Sequence, residues 1–315
     1  MDLGFALPVS GAWSSAESVG IVARGAESLG YSSLWTFQRL LHPAHQDWGA
    51  AYVSVQDPLV TLGYAAALTQ RVRLGIAVLN APYVPPIVLG KQLTTLDILS
   101  DGRLDVGLGL GWAAEEFEAV RIARSERVGR TVEAVECLKA IWGPDPVRFD
   151  GRYAHVPEAI VQPKPVQQPH PPLLMGGSAP TALERVGRLA DGWLTSSRQD
   201  LRRVGQDIDT VRTAAEQAGR DPAALRFIVR GVVRLGSQVT DRDGRRRLLT
   251  GSIDQVRGDL HRLGDQGVTE VFVDPNFSPD VVSPSVEPAR ALGTALELLE
   301  RLAPSTRAPG HEVST

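Results

Sequence analysis

The stretch VRLGIAVLNAPYVPPIVLGKQLTTLDILSDGRLDVGLGL (residues 72–110) holds two short apolar runs on either side of a longer segment. The flanking runs, 72–80 and 103–110, have the length and apolar content of buried strands. The segment between them, 85–100, is long enough for a helix and begins after prolines that can start one. A strand, a helix and a second strand in this order predict a βαβ unit with parallel strands.

The same alternation runs through the rest of the chain. Ser14 or Ser15 is suited to cap a helix at 15–30, and Asp57 followed by Pro58 is suited to begin another at 57–69. We expect strands to begin near residues 3, 31, 72, 103, 172, 192, 226 and 269. Eight strands that alternate with helices predict an α/β fold, a (β/α)8 TIM barrel, over residues 1–302 as a single domain.

Two segments depart from the alternation. An insertion at about 143–171, after the fourth βα unit, is rich in proline and contains RFDGRYAHV (148–156), whose Asp-Gly pair predicts a hairpin turn. The helical region 114–142 before it should break near Ser125. Residues 303–315 are small and polar, and we expect a flexible C-terminal tail there.

Composition excludes several classes of function. The chain has 33 Lys and Arg against 36 Asp and Glu, a net charge of −3, so no overall positive field favours nucleic acid or acidic lipid. Cys137 is the single cysteine, so no internal disulfide can form, and no Cys/His spacing indicates a metal site. We also see no secretory leader and no apolar run of membrane length, which favours a cytoplasmic protein.

Unusual residues follow several of the predicted strands. They occur in TFQRLLHP (36–43), VLNAPY (78–83), GLGWAAEE (109–116), MGGS (175–178) and TSSR (195–198). Active sites of TIM barrels lie at the C-terminal ends of the strands, so these segments should share one rim.

Glycines in two of these segments are candidates for ligand contact. In MGGS, Gly176, Gly177 and Ser178 precede a helix, where backbone N–H groups can hold a phosphate, although a tight turn would also use glycine. In GLGLGW (107–112), glycines at every second position predict one bare strand face. We expect Gly107 to allow close packing inside the barrel.

Nearer the rim, Gly109, Gly111 and Trp112 would contact a ligand. Glu115 could also serve the site, although Glu115 and Glu116 at a helix start would equally complement the helix dipole.

Together, SLWT (33–36), RLGIAVLNAPYVPP (73–86), LSDGRLDVGLGLGWAAEEF (99–117), RVGRTVEAVECLKAIW (127–142) and PKPVQQPHPPLLMGGSAPTALERVGRLADGW (163–193) are similar to the bacterial luciferase-like flavin and deazaflavin oxidoreductases. The resemblance covers roughly residues 1–275 and is closer to the branch that uses the deazaflavin coenzyme F420. It implies a TIM barrel, often a homodimer. It also implies a ring bound in the barrel mouth, with hydride exchanged at its C5.

The resemblance also assigns residues. It implies a cis peptide between Ala77 and Val78 behind the central ring, and a hydrogen bond from Asn80 to the ring or its tail. Where the deazaflavin dehydrogenases often carry an Asp-His pair, this chain has Gln38 and Arg39. Gln38 becomes a cofactor-binding candidate, and Arg39 is suited to bind an anion or to stabilise developing negative charge.

Proton transfer would then need another group, for which His45 and, less so, His42 are candidates. Loop histidines are also common as plain surface residues. The predicted function is hydride transfer between coenzyme F420 and a small organic substrate. Alternatives are a monooxygenase that uses reduced FMN and a non-catalytic barrel that only binds the cofactor.

Overall fold

The computed structural model describes residues 1–241 and 243–304. Its strands are β1 (Asp2–Ala6), β2 (Ser33–Thr36), β3 (Arg73–Asn80), β4 (Leu104–Gly109), β5 (Val147–Asp150), β6 (His155–Ala159), β7 (Leu173–Gly176), β8 (Gly192–Leu194), β9 (Arg226–Gly231), β10 (Arg234–Leu235), β11 (Thr250–Gly251) and β12 (Glu270–Val273). Its α-helices are α1 (Ala16–Ser28), α2 (Pro58–Leu68), α3 (Pro86–Leu99), α4 (Ala114–Ala119), α5 (Arg127–Trp142), α6 (Pro180–Leu189), α7 (Val204–Gln217), α8 (Ile253–Asp265), α9 (Pro279–Val282) and α10 (Pro288–Arg301).

Eight parallel strands close into a barrel in the order β1-β12-β9-β8-β7-β4-β3-β2. These are the eight strands that the sequence predicts, and the fold is the expected (β/α)8 barrel. The helices between them cover the outside of the barrel. Among the described residues, no helix has the combined length and apolarity needed to cross a bilayer.

Local sequence signals set where the helices begin. The Ser15 side chain accepts a hydrogen bond from the backbone N–H of Ser18 at the start of α1. Asp57 caps α2 through the N–H groups of Leu59 and Val60, and Pro58 occupies the first helical position. Both helices therefore start where the sequence predicts.

The predicted insertion contains an antiparallel hairpin formed by β5 and β6. Its turn is anchored by Glu133 on α5, whose carboxylate accepts hydrogen bonds from the backbone N–H groups of residues 152, 153 and 154. Asp97 on α3 holds the later part of the insertion through the N–H groups of Val166 and Gln167. The helical region before the hairpin breaks between α4 and α5, as expected. Residues 305–315 of the predicted tail lie outside the described residues.

The two ends of the barrel differ in chemistry. At the N-terminal ends of the strands, the fully buried Asp105 pairs with Arg73 and with Arg226 at 2.7 Å. Arg226 also contacts Glu270 at 3.0 Å. Above this closed ionic layer, the interior is filled by apolar side chains: Ala6, Trp35, Ala77, Leu174, Leu194, Ile228 and Phe272. The barrel is therefore packed at its base and middle, and space for a ligand is found at the opposite end.

Candidate active site

The C-terminal ends of the barrel strands surround a cavity of about 270 Å³, called here the mouth. Its lining consists of Phe37, Gln38, Arg39, Tyr52, Ala77, Val78, Asn80, Gly109, Leu110, Gly111, Trp112, Gly176, Gly177, Leu194, Thr195, Ser196, Ser197 and Arg230. Segments that are far apart in sequence meet there, as the barrel topology predicts. The described lining residues include two arginines and no carboxylate, so the charged side chains that face a ligand in the mouth are cationic.

One wall of the mouth is formed by the end of β3. The peptide bond between Ala77 and Val78 is cis, at the position that the resemblance implies. The pairing of β3 with β4 shifts register between Ile76 and Leu79, so the strand bulges at this bond. Both Ala77 and Val78 line the cavity.

The three alternating glycines have different environments. An added Cβ on Gly107 would collide with the carbonyl oxygen of Ile76 and the Leu194 side chain, so Gly107 permits close packing inside the barrel. A Cβ on Gly109 would lie 2.5 Å from Cγ2 of Val78. Gly109 therefore brings β4 close to the bulge of β3, besides lining the mouth.

The expectation that Gly111 shares a strand face with these glycines is wrong. β4 ends at Gly109, and Gly111 has φ +76°, a left-handed conformation that turns the chain away from the strand. A Cβ there would also meet the Tyr83 hydroxyl at 2.7 Å. Glycine is required at 111 by backbone geometry whatever ligand binds.

Gly176 and Gly177 end β7 just before α6, and both line the mouth. A Cβ on Gly176 would lie 3.7 Å from Val78 Cγ1 and 3.8 Å from the Leu194 carbonyl oxygen, which are ordinary contacts. Gly177 has φ +146°, and a Cβ there would approach the Cβ of Ala182 to 2.6 Å. Ser178 is exposed and lies outside the cavity lining.

Arg39 is held on one side of the mouth by an ion pair and three aromatic rings. Its Nη2 lies 3.3 Å from Glu116 Oε2, and the two side chains are 6% and 0% exposed. Three rings surround the guanidinium, with centroids at 5.9 Å for Trp48, 5.4 Å for Tyr52 and 4.9 Å for Trp112. Nη1 of Arg39 is buried without a hydrogen-bond partner among the described residues, and an unsatisfied buried donor calls for an explanation.

Glu116 is the carboxylate that fixes this cluster. Its Oε1 accepts a hydrogen bond from the backbone N–H of Leu40 at 2.7 Å, and its Oε2 accepts one from the Tyr83 hydroxyl at 3.1 Å. Burial, reinforced by the charge on Glu116, raises the pKa of Tyr83, so the phenol remains a donor to the carboxylate. Arg39 is thereby locked in one orientation.

The structure places other sequence candidates outside the mouth. Glu115 is only partly buried, unlike Glu116, and accepts a hydrogen bond from the Gln46 side chain near the surface. His45 is exposed, and the ring of His42 accepts a hydrogen bond from the backbone N–H of Trp48 at 3.3 Å. None of the three lines the cavity, so the expectation that Glu115 and His45 act at the ligand does not fit this geometry.

Several lining residues were not among the sequence candidates: Phe37, Tyr52, Leu110, Leu194, Thr195, Ser196, Ser197 and Arg230. Arg230 is the most informative of them. It follows Ile228 by two residues on β9, and Ile228 belongs to the barrel interior. The two-residue period of a strand therefore signals that Arg230 also points inward.

Polar atoms in the mouth match the needs of a planar heterocyclic ligand. The backbone N–H of Asn80 donates to Gln38 Oε1 at 2.9 Å, which orients the Gln38 amide. The Asn80 side-chain Nδ2 is buried with no hydrogen-bond partner. An unpaired amide and an unpaired guanidinium nitrogen beside bare glycine edges suit a flat molecule with carbonyl oxygens and negative charge.

A closed (β/α)8 barrel with a ligand-sized cavity at the C-terminal ends of its strands defines the class of TIM-barrel proteins whose site lies at that end. The family model of the luciferase-like monooxygenases matches residues 3–238. The chain belongs to this family, and the resemblance inferred from the motifs is confirmed.

Relatives in the comparisons use more than one cofactor. An FMNH2-dependent dimethylsulfone monooxygenase of Pseudomonas putida is 31% identical over 168 residues, which are 52% of this chain and 46% of that protein. The crystal structure of the monooxygenase RslO1 from Streptomyces bottropensis superimposes with a TM-score of 0.77 at 23% identity, covering 96% of this chain and 98% of that one. An F420-dependent secondary alcohol dehydrogenase, in complex with an F420-acetone adduct, gives a TM-score of 0.74 at 19% identity, covering 92% and 98%.

Proposed function

We propose that this protein exchanges a hydride between coenzyme F420 and a small organic substrate in the mouth of the barrel. The observation that carries the proposal is the lining of the mouth, which in the described part of the chain combines two arginines, no carboxylate and bare glycine edges. Such a lining suits a flat ring with an anionic tail. The closer resemblance of the motifs to the deazaflavin branch supports the choice of cofactor.

Different residues of the mouth would bind different parts of the cofactor. Gly176 and Gly177, with Ser178 at the approach to α6, would hold the phosphate through backbone N–H groups near the helix N-terminus. Asn80 Nδ2, which has no partner of its own, would donate to a ring or tail oxygen. Val78 would support the ring from behind. When bound, the deazaflavin supplies a carbon that accepts or delivers a hydride.

Arg39 would act on the substrate by charge. A guanidinium keeps its proton at neutral pH, so its contribution is to stabilise negative charge that develops on a substrate oxygen as hydride is transferred. Glu116 and the three surrounding rings fix the group before the substrate arrives. Trp112, whose side chain is 47% exposed, would cover the substrate and reduce its contact with water.

A second function is favoured by one specific observation, the partial match to an FMNH2-dependent monooxygenase. In that case the same mouth would hold reduced FMN, and molecular oxygen would be consumed. The two functions predict different requirements for oxygen.

Turnover assays separate them. Purified protein is supplied with coenzyme F420 and a panel of alcohols and ketones without oxygen, and with reduced FMN and the same panel in air. We expect an absorbance change of F420 without oxygen for at least one substrate. Turnover that requires FMN and consumes oxygen would establish the second function instead. Binding of either cofactor without redox change in any mixture would indicate a non-catalytic binding barrel.

A further inference from the structure

Arg230 lies near the end of β9 and lines the mouth. Its side chain is 9% exposed. Neither the family motifs nor the role given to Arg39 explains why a second arginine is buried there. Removing a cation from water is expensive, and a fold retains one only where it is compensated or used.

The contacts of Arg230 compensate its charge only in part. Its Nη2 donates a hydrogen bond to the carbonyl oxygen of Ala77, the first residue of the cis peptide. Its Nε lies 3.4 Å from Asp274 Oδ2 but makes no hydrogen bond. The rest of its surroundings are the rings of Phe37, Phe272 and Phe277, at 5.5, 5.5 and 4.9 Å.

The carboxylate of Asp274, which faces Arg230, also binds Asn276. Asp274 Oδ1 accepts hydrogen bonds from the backbone N–H and the side-chain amide of Asn276, both at 3.0 Å. Burial lowers the pKa of Arg230 and raises that of Asp274. The contacts of each group thus offset its cost of burial only in part. Because no described residue that lines the mouth is a carboxylate, Asp274 lies outside the lining and the charge of Arg230 can act on a molecule in the mouth.

We propose that the positive charge of Arg230 sets the redox preference of the bound cofactor by stabilising its reduced form. A ring that accepts a hydride receives two electrons and one proton, so its charge falls by one unit unless a further proton follows. A fixed cation at the wall of the mouth therefore stabilises the reduced ring more than the oxidised ring. This inference rests on the proposed function, because it requires a hydride-carrying ring in the mouth.

The contact between Arg230 and Ala77 connects the charge to the bulge. The guanidinium binds the carbonyl of the peptide that forms the wall beside Val78. Arg230 therefore holds a definite position relative to this wall instead of moving with solvent. Low polarity around it, given by three aromatic rings, keeps its field strong within the mouth.

The test measures binding of two forms of one cofactor. Dissociation constants of oxidised and reduced coenzyme F420 are determined without oxygen at pH 7.5 for wild type, Arg230→Gln, Arg230→Lys and Asp274→Asn. Arg230→Gln keeps a donor for the Ala77 carbonyl and removes the charge, whereas Arg230→Lys keeps the charge. We expect Arg230→Gln to lower the preference for the reduced form at least tenfold, which equals about 30 mV for a two-electron couple.

The other variants provide the controls. Arg230→Lys should stay within about threefold of wild type, and Asp274→Asn, which removes the opposing charge, should raise the preference for the reduced form at least threefold. Equal weakening of both forms by Arg230→Gln would overturn the inference and leave Arg230 a simple binding residue. If Arg230→Gln does not fold, Asp274→Asn alone tests the inference. An unchanged preference for the reduced cofactor in Asp274→Asn would also refute the role of Arg230.

Failure of the proposed function gives a different result. A wild-type protein that binds neither form of coenzyme F420 contradicts the choice of cofactor. If it binds FMN instead, the same ratio measured with oxidised and reduced FMN still tests Arg230. The two failures are therefore distinguishable in one set of titrations.

Discussion

Replacing Gly176 with valine should weaken cofactor binding and leave the barrel intact. Gly176 ends β7 at the edge of the mouth. Its backbone does not require glycine, since Gly176 is absent from the positive-φ residues, and the nearest atoms to an added Cβ are 3.7 Å away. Valine is also well suited to a strand. The new side chain would occupy space in which the cofactor phosphate or ring edge is expected.

The size of the effect follows from this geometry. Because the added Cβ makes only ordinary contacts, we expect the free energy of unfolding to change by less than about 1 kcal/mol. Cofactor affinity should fall at least tenfold, or about 1.4 kcal/mol. Gly107→Val is the matched control, because its Cβ would collide with the Ile76 carbonyl and Leu194. Overpacking there should cost about 1–3 kcal/mol of stability.

Thermal melts and fluorescence titrations with coenzyme F420, run on both variants, give the answer. Gly177 and Gly111 are unsuitable for this test, since their left-handed backbones would strain any substitution. Wild-type affinity in a stable Gly176→Val protein would refute the assignment of this edge to the cofactor. A Gly107→Val protein that melts normally would refute the packing argument.

Three further predictions concern other parts of the barrel. Arg39→Met should lower kcat/KM at least tenfold while changing F420 affinity less than threefold, and Glu116→Gln should lower kcat/KM by a smaller factor. Equal losses in turnover and affinity would contradict a role of Arg39 toward the substrate. Asp105→Ala should lower the free energy of unfolding by about 3–5 kcal/mol in denaturant unfolding, because Arg73 and Arg226 both lose a fully buried partner. A loss under about 1 kcal/mol would show that the ionic layer is dispensable. Burial raises the pKa of the Cys137 thiol to about 11, so a thiol reagent at pH 8 should label it only after unfolding, and rapid labelling of native protein would contradict its placement.

The barrel was predictable because each of its strands is a short apolar run bounded by turn residues. Alternation with helices then leaves few arrangements other than a closed parallel barrel. The end of β4 was not predictable in the same way. GLGLGW keeps its two-residue period past Gly109, and only the conformation of Gly111 shows that the strand has already ended.

The site was predictable where it depends on the ends of strands. Gln38, Arg39, Asn80 and Trp112 all line the mouth because the barrel topology brings these ends together. The choice between two neighbouring glutamates depends on helix phase. α4 is six residues long, too short for a periodic pattern to show which of its residues face inward.

The inward direction of Arg230 is indicated by its spacing from Ile228 in the sequence. An arginine two residues after an apolar interior position of a strand must point into the barrel. His45 illustrates the opposite, because nothing in a long loop fixes the direction of a side chain.

The proposed function requires that the mouth bind coenzyme F420 in preference to FMN. A pair of equilibrium titrations of the purified wild-type protein, one with each oxidised cofactor under the same buffer and salt, tests this preference. We expect a dissociation constant for coenzyme F420 at least tenfold below that for FMN. A lower dissociation constant for FMN would contradict the proposed function.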